Sequence, residues 1–247
     1  MIILLLTILS IRPVKSYEIL FSDDFNDGVA DGWVEKAVRC FDHSMWQSIP
    51  STWIVLDGQY LCEFLQDPYG AFDTGVSTVY DLNLTDYVAE AKVRFKEVER
   101  TDFNFRAGIV FRYIDLKHYY SFEISDEYNC VLFVKYAEDD PAYGVSSKEI
   151  DYPIFPNVCY ILTIVVSGSS FTGYLNYTEL IQWQDSDYTL GGVGLRARAS
   201  DVFFDDFIVS DEIIPEFSTV GFLMIAVVIT ALVVILVRKV QQLTKIQ

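Results

Sequence analysis

Apolar and polar residues alternate with a period of two through most of residues 17–212, in runs rich in β-branched and aromatic side chains and bounded by Gly, Asp, Asn and Ser. The alternation predicts strands at Val88–Phe95, Arg106–Tyr113, Tyr119–Ser125, Cys130–Tyr136, Tyr160–Ser167, Phe171–Leu175, Gly192–Ala199 and Val202–Val209. No stretch of helical period competes with them. Short turns and no parallel crossovers point to an all-β chain folded as an antiparallel two-sheet jelly-roll sandwich. Within it, Ile109, Phe111, Tyr120, Phe122, Ile124, Val193 and Leu195 are expected to face the core.

Two other segments break the pattern. Residues 2–11 are a short apolar run, too short for an ordinary spanning helix, and Val14-Lys15-Ser16 follows with residues permissive for cleavage. Residues 1–16 therefore read as a secretory signal peptide, whose positive charge ahead of the run comes only from the α-amino group. Residues 218–237 carry no charge over 20 positions, a length that as a helix covers about 30 Å of hydrocarbon. Arg238, Lys239 and Lys245 follow this predicted transmembrane helix, and Asp211, Glu212 and Glu216 precede it. The positive-inside rule then keeps residues 238–247 as a cytoplasmic tail and residues 17–212 outside, as the ectodomain of a single-pass cell-membrane protein. Residues 213–217 are left as a short linker.

The charge balance sharpens this picture. The chain has 18 Lys+Arg against 35 Asp+Glu, and the 17–214 segment alone carries −21. Such a polyanion repels phosphate backbones, which excludes nucleic acid and disfavours anionic lipid as partners. Cys40, Cys62, Cys130 and Cys159 are widely spaced with no CxxC pair, a usage that suits two disulfides in an oxidising compartment better than zinc. Three connectivities are open. Proximity in sequence favours Cys40–Cys62 with Cys130–Cys159, and four buried free thiols are the alternative. Asn83-Leu-Thr and Asn176-Tyr-Thr are glycosylation sequons.

The linker and the domain each resemble something known. Pro215-Glu216-Phe217, an apolar helix and Arg238-Lys239 resemble the tripartite PEF-type C-terminal sorting signal of archaeal surface proteins. That resemblance implies an archaeosortase as a processing partner. The alternative is that Pro215 merely ends the last strand and the helix stays. Phe21-Ser-Asp-Asp-Phe-Asn-Asp-Gly with Trp33, Gly108-Ile-Val-Phe-Arg-Tyr with His118-Tyr-Tyr-Ser-Phe-Glu-Ile-Ser, Ser170-Phe-Thr-Gly-Tyr-Leu-Asn, Gly191-Gly-Val-Gly-Leu-Arg-Ala and Phe203-Phe-Asp-Asp-Phe-Ile-Val occur in that order. The series resembles the concanavalin A-like lectin/glucanase superfamily, notably its laminin-G-like and family-16-hydrolase-like modules. It departs at Tyr177, where the family usually turns on Asn-Gly.

Active relatives imply a Glu-x-Asp-x-(x)-Glu strand, with nucleophile and acid on one face. The nearest run here, Glu123-Ile-Ser-Asp126-Glu127, has the wrong spacing, and His43 and His118 belong to no metal or nucleophile motif. A non-catalytic domain is expected. Arg112, Tyr119, Glu123, Arg196 and Arg198 share the register opposite the core and could form a polar sheet face that takes sugar hydroxyls or carboxylates, with Trp46, Trp53 and Trp183 as stacking platforms. A solvated face of Arg–Glu pairs, and tryptophans buried in the core, are the alternatives. Asp23, Asp24, Asn26, Asp27, Asp31, Asp205 and Asp206 offer hard oxygens that would fit Ca²⁺, unless they only build a turn and a solvated edge. The leading expectation is a membrane-anchored carbohydrate-binding or adhesive module. A glycoside hydrolase of the same fold and a structural surface-layer component that binds other surface proteins are the competing readings.

Overall fold

The computed structural model describes residues 17–41, 45–48, 53–63, 72–96, 105–137 and 144–212. Sixteen strands form: β1 (Ile19–Asp23), β2 (Trp33–Phe41), β3 (Met45–Ser48), β4 (Trp53–Leu56), β5 (Gln59–Cys62), β6 (Phe72–Val79), β7 (Tyr87–Phe95), β8 (Arg106–Asp115), β9 (His118–Ser125), β10 (Cys130–Tyr136), β11 (Ser146–Asp151), β12 (Tyr160–Ser167), β13 (Ser170–Leu175), β14 (Thr178–Gln184), β15 (Gly192–Arg198) and β16 (Val202–Ser210). All eight strands predicted from alternation are present. Those that alternation did not predict include the edge strands β11 and β14, which read SSKEID and TELIQWQ. An edge strand is only half covered, so its apolar code is weak.

The strands pair antiparallel into two sheets of eight. The back sheet runs β14-β13-β12-β7-β16-β5-β4 with β1 added on β16, and the front sheet runs β11-β10-β9-β8-β15-β6-β2-β3. The described residues contain no helix. None is therefore long and apolar enough to cross a membrane among them. Residues 1–16, the 213–217 linker, the 218–237 segment and the 238–247 tail lie outside the described residues.

Between the sheets lies one core. Ile109, Phe111, Tyr120, Phe122, Ile124, Val193 and Leu195 are all fully buried, as alternation predicts, and they share the cluster with Ala89, Ala91 and Val93 of β7 and Leu162 and Ile164 of β12. Small alanines on β7 leave room for aromatics, among them Phe111 and Phe171 meeting edge to face at 4.9 Å. Burying each such large side chain contributes about 1.5–3 kcal/mol. A second aromatic knot, Phe25 stacked on Tyr60 at 5.0 Å and Trp33 against Phe207 at 5.0 Å, ties the β1–β2 loop onto β5 and β16.

The expected Cys130–Cys159 bridge is corrected: both thiols are free. Cys130 opens β10 in the front sheet, whereas Cys159 precedes β12 in the back sheet, so nearness in sequence does not bring them together. Burial pushes the Cys130 thiol up to about 11. Cys62 packs inward on β6, where a Cβ at Gly75 would stand 2.7 Å from its sulfur. The side chain of Cys40, and with it the Cys40–Cys62 pairing, lies outside the described residues.

The β13–β14 turn explains the departure at Tyr177. Asn176 and Tyr177 both adopt positive φ, 48° and 64°, the two-residue geometry that matches the twist of a hairpin. Asn tolerates this conformation and its Oδ1 accepts a hydrogen bond from the Ile161 amide at 2.9 Å. Tyrosine tolerates it poorly. Tyr177→Gly is therefore expected to raise stability by about 1 kcal/mol. A higher urea midpoint checks it; a lower one would mean that the tyrosine ring contributes more than its backbone costs.

Candidate functional site

Alternation along β9 sends Tyr120, Phe122 and Ile124 into the core and Tyr119, Ser121, Glu123 and Ser125 to the outer face of the front sheet. Register then sets the neighbours. Leu132, Glu123, Gly108, Arg196, Val76 and Lys36 form one row across β10, β9, β8, β15, β6 and β2. Glu123 and Arg196 are thus two strands apart, about 10 Å between backbones. Glycine at position 108 leaves no side chain between them, and Arg196 reaches across.

Arg196 Nη1 donates to Glu123 Oε1 at 2.7 Å, and both side chains are fully buried. The Tyr136 hydroxyl donates to the same oxygen at 3.1 Å, and so does Ser121. Arg196 Nε donates to the Tyr119 hydroxyl oxygen at 3.2 Å. The rings of Tyr119 and Tyr136 stack at 4.5 Å, and the Arg196 guanidinium lies 4.7 Å over Tyr136. One row along the sheet, Arg198 pairs with Arg106. Burial opposes ionisation of Glu123, but the charges of Arg196 and then Arg106, with the Ser121 and Tyr136 hydrogen bonds, hold its carboxyl below the ordinary value. Glu123 Oε2 and Arg196 Nη2 have no hydrogen-bond partner among the described residues. Leaving such a buried group unsatisfied costs about 1–3 kcal/mol.

The structure brings Tyr119, Glu123, Arg196 and Arg198 to one face, as their register predicts, and corrects two features of it. The face is not solvated: all four are at most 1% exposed, and the tyrosine rings stack on each other instead of standing free as platforms. Arg112 leaves the face altogether. A bulge follows Phe111, Arg112 takes φ +50°, and its Nη2 donates to the Gly168 carbonyl at 3.0 Å in the β12–β13 turn of the opposite sheet. Strict alternation fails wherever a bulge inserts a residue. Tyr113 takes the vacated place, its ring 5.7 Å from Tyr119 and its hydroxyl accepting from Lys36 Nζ at 3.3 Å. Neither Lys36 nor Tyr113 was among the expected site residues, and only the bulge reveals them.

The tryptophans belong elsewhere. Trp53 is buried in the core, 4.8 Å from Tyr60 and 5.6 Å from Phe204. Trp183 packs, half-buried, on Tyr120 and Phe133 at 5.7 and 6.0 Å. Trp46 lies on β3 with its side chain outside the described residues.

The acidic set is drawn together by β1 pairing with β16, which places Asp23 opposite Phe207, next to Asp205 and Asp206. Its carboxylates are engaged locally. Asp23 accepts from the Phe25 amide at 2.8 Å and Trp33 Nε1 at 2.9 Å. Asp24 and Asp27 accept from the amides of Asn26 and Val29, each at 3.1 Å, as turn-capping carboxylates do. Asp205 accepts from the Asp206 amide at 2.8 Å, Asp206 pairs with Lys92, and Asp31 is exposed. Among the described residues no three His, Cys, Asp or Glu side chains converge on one point. His118 is held by Asp115 at 2.9 Å, and His43 lies outside the described residues. Asn83, in the β6–β7 loop, and Asn176, in the β13–β14 turn, are both exposed. Pro215, Glu216 and Phe217 lie outside the described residues.

No family model and no curated protein matches this chain. Solved structures do. The carbohydrate-binding module CBM66 from Bacillus subtilis aligns over 72% of this chain and 94% of its own, with 19% identity and a TM-score of 0.50. The catalytic domain of an endo-1,3-β-glucanase (laminarinase) from Thermotoga petrophila RKU-1 aligns over 81% and 100%, with 11% identity and a TM-score of 0.54. The carbohydrate recognition domain of Emp47p aligns over 76% and 93%, with 10% identity and a TM-score of 0.51. Binding modules and glucanases alike share this architecture, and the fold of residues 17–212 is the concanavalin-like jelly-roll sandwich.

Proposed function

We propose that residues 17–212 form a non-catalytic carbohydrate-binding module held at the outer surface of a membrane by residues 218–237. The observation that carries this reading is the pair of unpartnered atoms in the front sheet, Glu123 Oε2 and Arg196 Nη2. An acceptor and a donor left open within one ion pair are what sugar hydroxyls, which both give and take hydrogen bonds, satisfy together. The face is buried, so a ligand must open it, and the affinity carries that cost. The proposed ligand class is supported by the likeness to binding modules, which by itself speaks only for the fold.

Glu123 bears on the role of the face. Its carboxyl is held below its ordinary value, so it stays ionised at neutral pH and is not the general acid of a hydrolase, although an ionised carboxylate suits a sugar-hydroxyl acceptor and a retaining nucleophile alike. The laminarinase likeness keeps hydrolysis as the second reading, tested by whether Glu123→Gln abolishes release of reducing sugar. Export by residues 1–16 and calcium at the Asp23–Asp31 turn complete the proposal, and processing at Pro215-Glu216-Phe217 by an archaeosortase is the alternative to a retained 218–237 anchor. Melting with and without millimolar calcium tests the calcium site.

A glycan array is the primary test, with Arg196→Lys as the paired variant. Lysine keeps the charge but loses the second guanidinium nitrogen, so bound glycans should be retained at least tenfold more weakly. An array without hits, alongside self-assembly of the chain, would replace this reading with a structural surface-layer role.

A further inference from the structure

The two ends of the sandwich are not alike in what leaves them. The β6–β7 loop, the β8–β9 turn, the β12–β13 turn, the β14–β15 loop, the start of β1 and the end of β16 all lie at one end, as the pairs Ser210–Val88, Ile19–Ser210, Gly192–Tyr113 and Trp33–Val79 require. The described residues end here, at Ser210–Glu212, five residues before the apolar 218–237 segment. Five intervening residues, even fully extended, reach only about 20 Å.

The same end carries exposed apolar residues. The adjacent strands β6, β15 and β8 are each flanked there by a large exposed apolar residue: Tyr80, 71% exposed, Leu190, 44%, and Ile114, 56%. Neighbouring strands lie about 4.8 Å apart, so the three positions fall within roughly 10 Å across the strand ends. Isolated apolar residues on a surface need no explanation, but three on neighbouring strand ends do. Tyr17 and Ile19, 39% and 51% exposed, lie at this end on the back sheet. The loops and strand ends at this end carry Glu18, Asp81, Asp86, Asp115, Asp187 and Asp211 against Lys117, with Asp115 held by His118 and Asp187 by Lys135, so the balance is acidic.

We propose that this end docks onto the bilayer interface, with Tyr80, Leu190 and Ile114 entering the headgroup region and the acidic rim selecting a zwitterionic lipid surface over an anionic one. This rests on the reading of 218–237 as the anchor. A docked end leaves the opposite end, with the β9–β10 turn and Asn176, directed away from the membrane, and leaves the Asn83 sequon in the β6–β7 loop without a glycan.

The full chain reconstituted in phosphatidylcholine vesicles, compared with the same chain in detergent, tests it. Flotation reports anchoring, and hydrogen exchange reports docking. The vesicles should slow exchange several-fold at residues 80–86, 114–117 and 187–191, and leave 126–129 and 154–158 unchanged. Protection should weaken in phosphatidylglycerol vesicles. The variant Tyr80→Ser/Leu190→Ser/Ile114→Ser should float as before and lose the protection; these side chains are exposed, so folding is preserved. Flotation with equal exchange at both ends would overturn the docking alone. Failure to float would overturn the anchor, and docking with it.

Discussion

Replacing Glu123 with alanine is expected to destabilise the sandwich by about 3–5 kcal/mol, because it strands the Arg196 guanidinium, fully buried, without its counter-charge. Tyr136 and Ser121 lose their acceptor in the same step. For a domain of this size that loss corresponds to roughly 10 °C or more in melting temperature. The double variant Glu123→Leu/Arg196→Met should recover most of it, since removing both charges ends the desolvation that one alone cannot offset. If the single variant melts like the parent, the pair is not buried as described.

The same carboxylate sets the direction of the acid response. Its folded value lies below the ordinary 4.5, so its contribution is complete at pH values above 4.5 and is lost as the pH falls through the folded value. Urea midpoints measured from neutral to strongly acidic pH should therefore fall less steeply below pH 4.5 in the double variant than in the parent. Equal slopes would remove Glu123 as the source.

Gly108→Ala is expected to be the most damaging small substitution in the front sheet. The added Cβ would stand 2.0 Å from the Phe122 carbonyl oxygen and 2.7 Å from the Glu123 Cα, both backbone atoms that cannot rotate aside. Strands β8 and β9 would have to part, at a cost above about 4 kcal/mol or with failure to fold. Separation would also pull Glu123 from Arg196, so the residue that gives way sterically is the one the ion pair passes over. Gly28→Ala is the control: its Cβ meets nothing within 4 Å, and the φ of +85° alone should cost about 1–2 kcal/mol. Equal losses at the two sites would show that glycine at 108 serves backbone freedom and not close approach.

Much of this architecture was legible beforehand, and the exceptions have physical causes. The core residues of β8, β9 and β15 alternate because each strand has one face against the opposite sheet, and that pattern needs no tertiary knowledge. Arg196, Arg198, Glu123 and Tyr119 were assigned to one face by the same rule. Arg112 was assigned with them because a bulge leaves no mark in residue types, and one inserted residue reverses every side chain that follows it. Trp53 and Trp183 stay open between platform and core in the sequence, because an aromatic residue at a strand end carries the same signal whether it faces water or Phe204, and the structure packs both inward. The carboxylates of Asp23, Asp24 and Asp27 have the composition both of a cation site and of turn caps, and only the structure supplies their hydrogen bonds to the amides of Phe25, Asn26 and Val29.

By itself, the sequence determined the class of fold, the strands of its centre, the side of each strand that meets the core, and the anionic character of the whole, because these follow from local periodicity and composition. Tertiary structure alone decided that the polar face is buried, that Arg196 crosses Gly108 to meet Glu123, that Cys130 opens a front-sheet strand while Cys159 precedes a back-sheet one, and that Tyr80, Leu190 and Ile114 lie at the end where the described residues finish. Each of those depends on which strands become neighbours, and neighbours far apart in a chain are chosen by the packing of the whole domain.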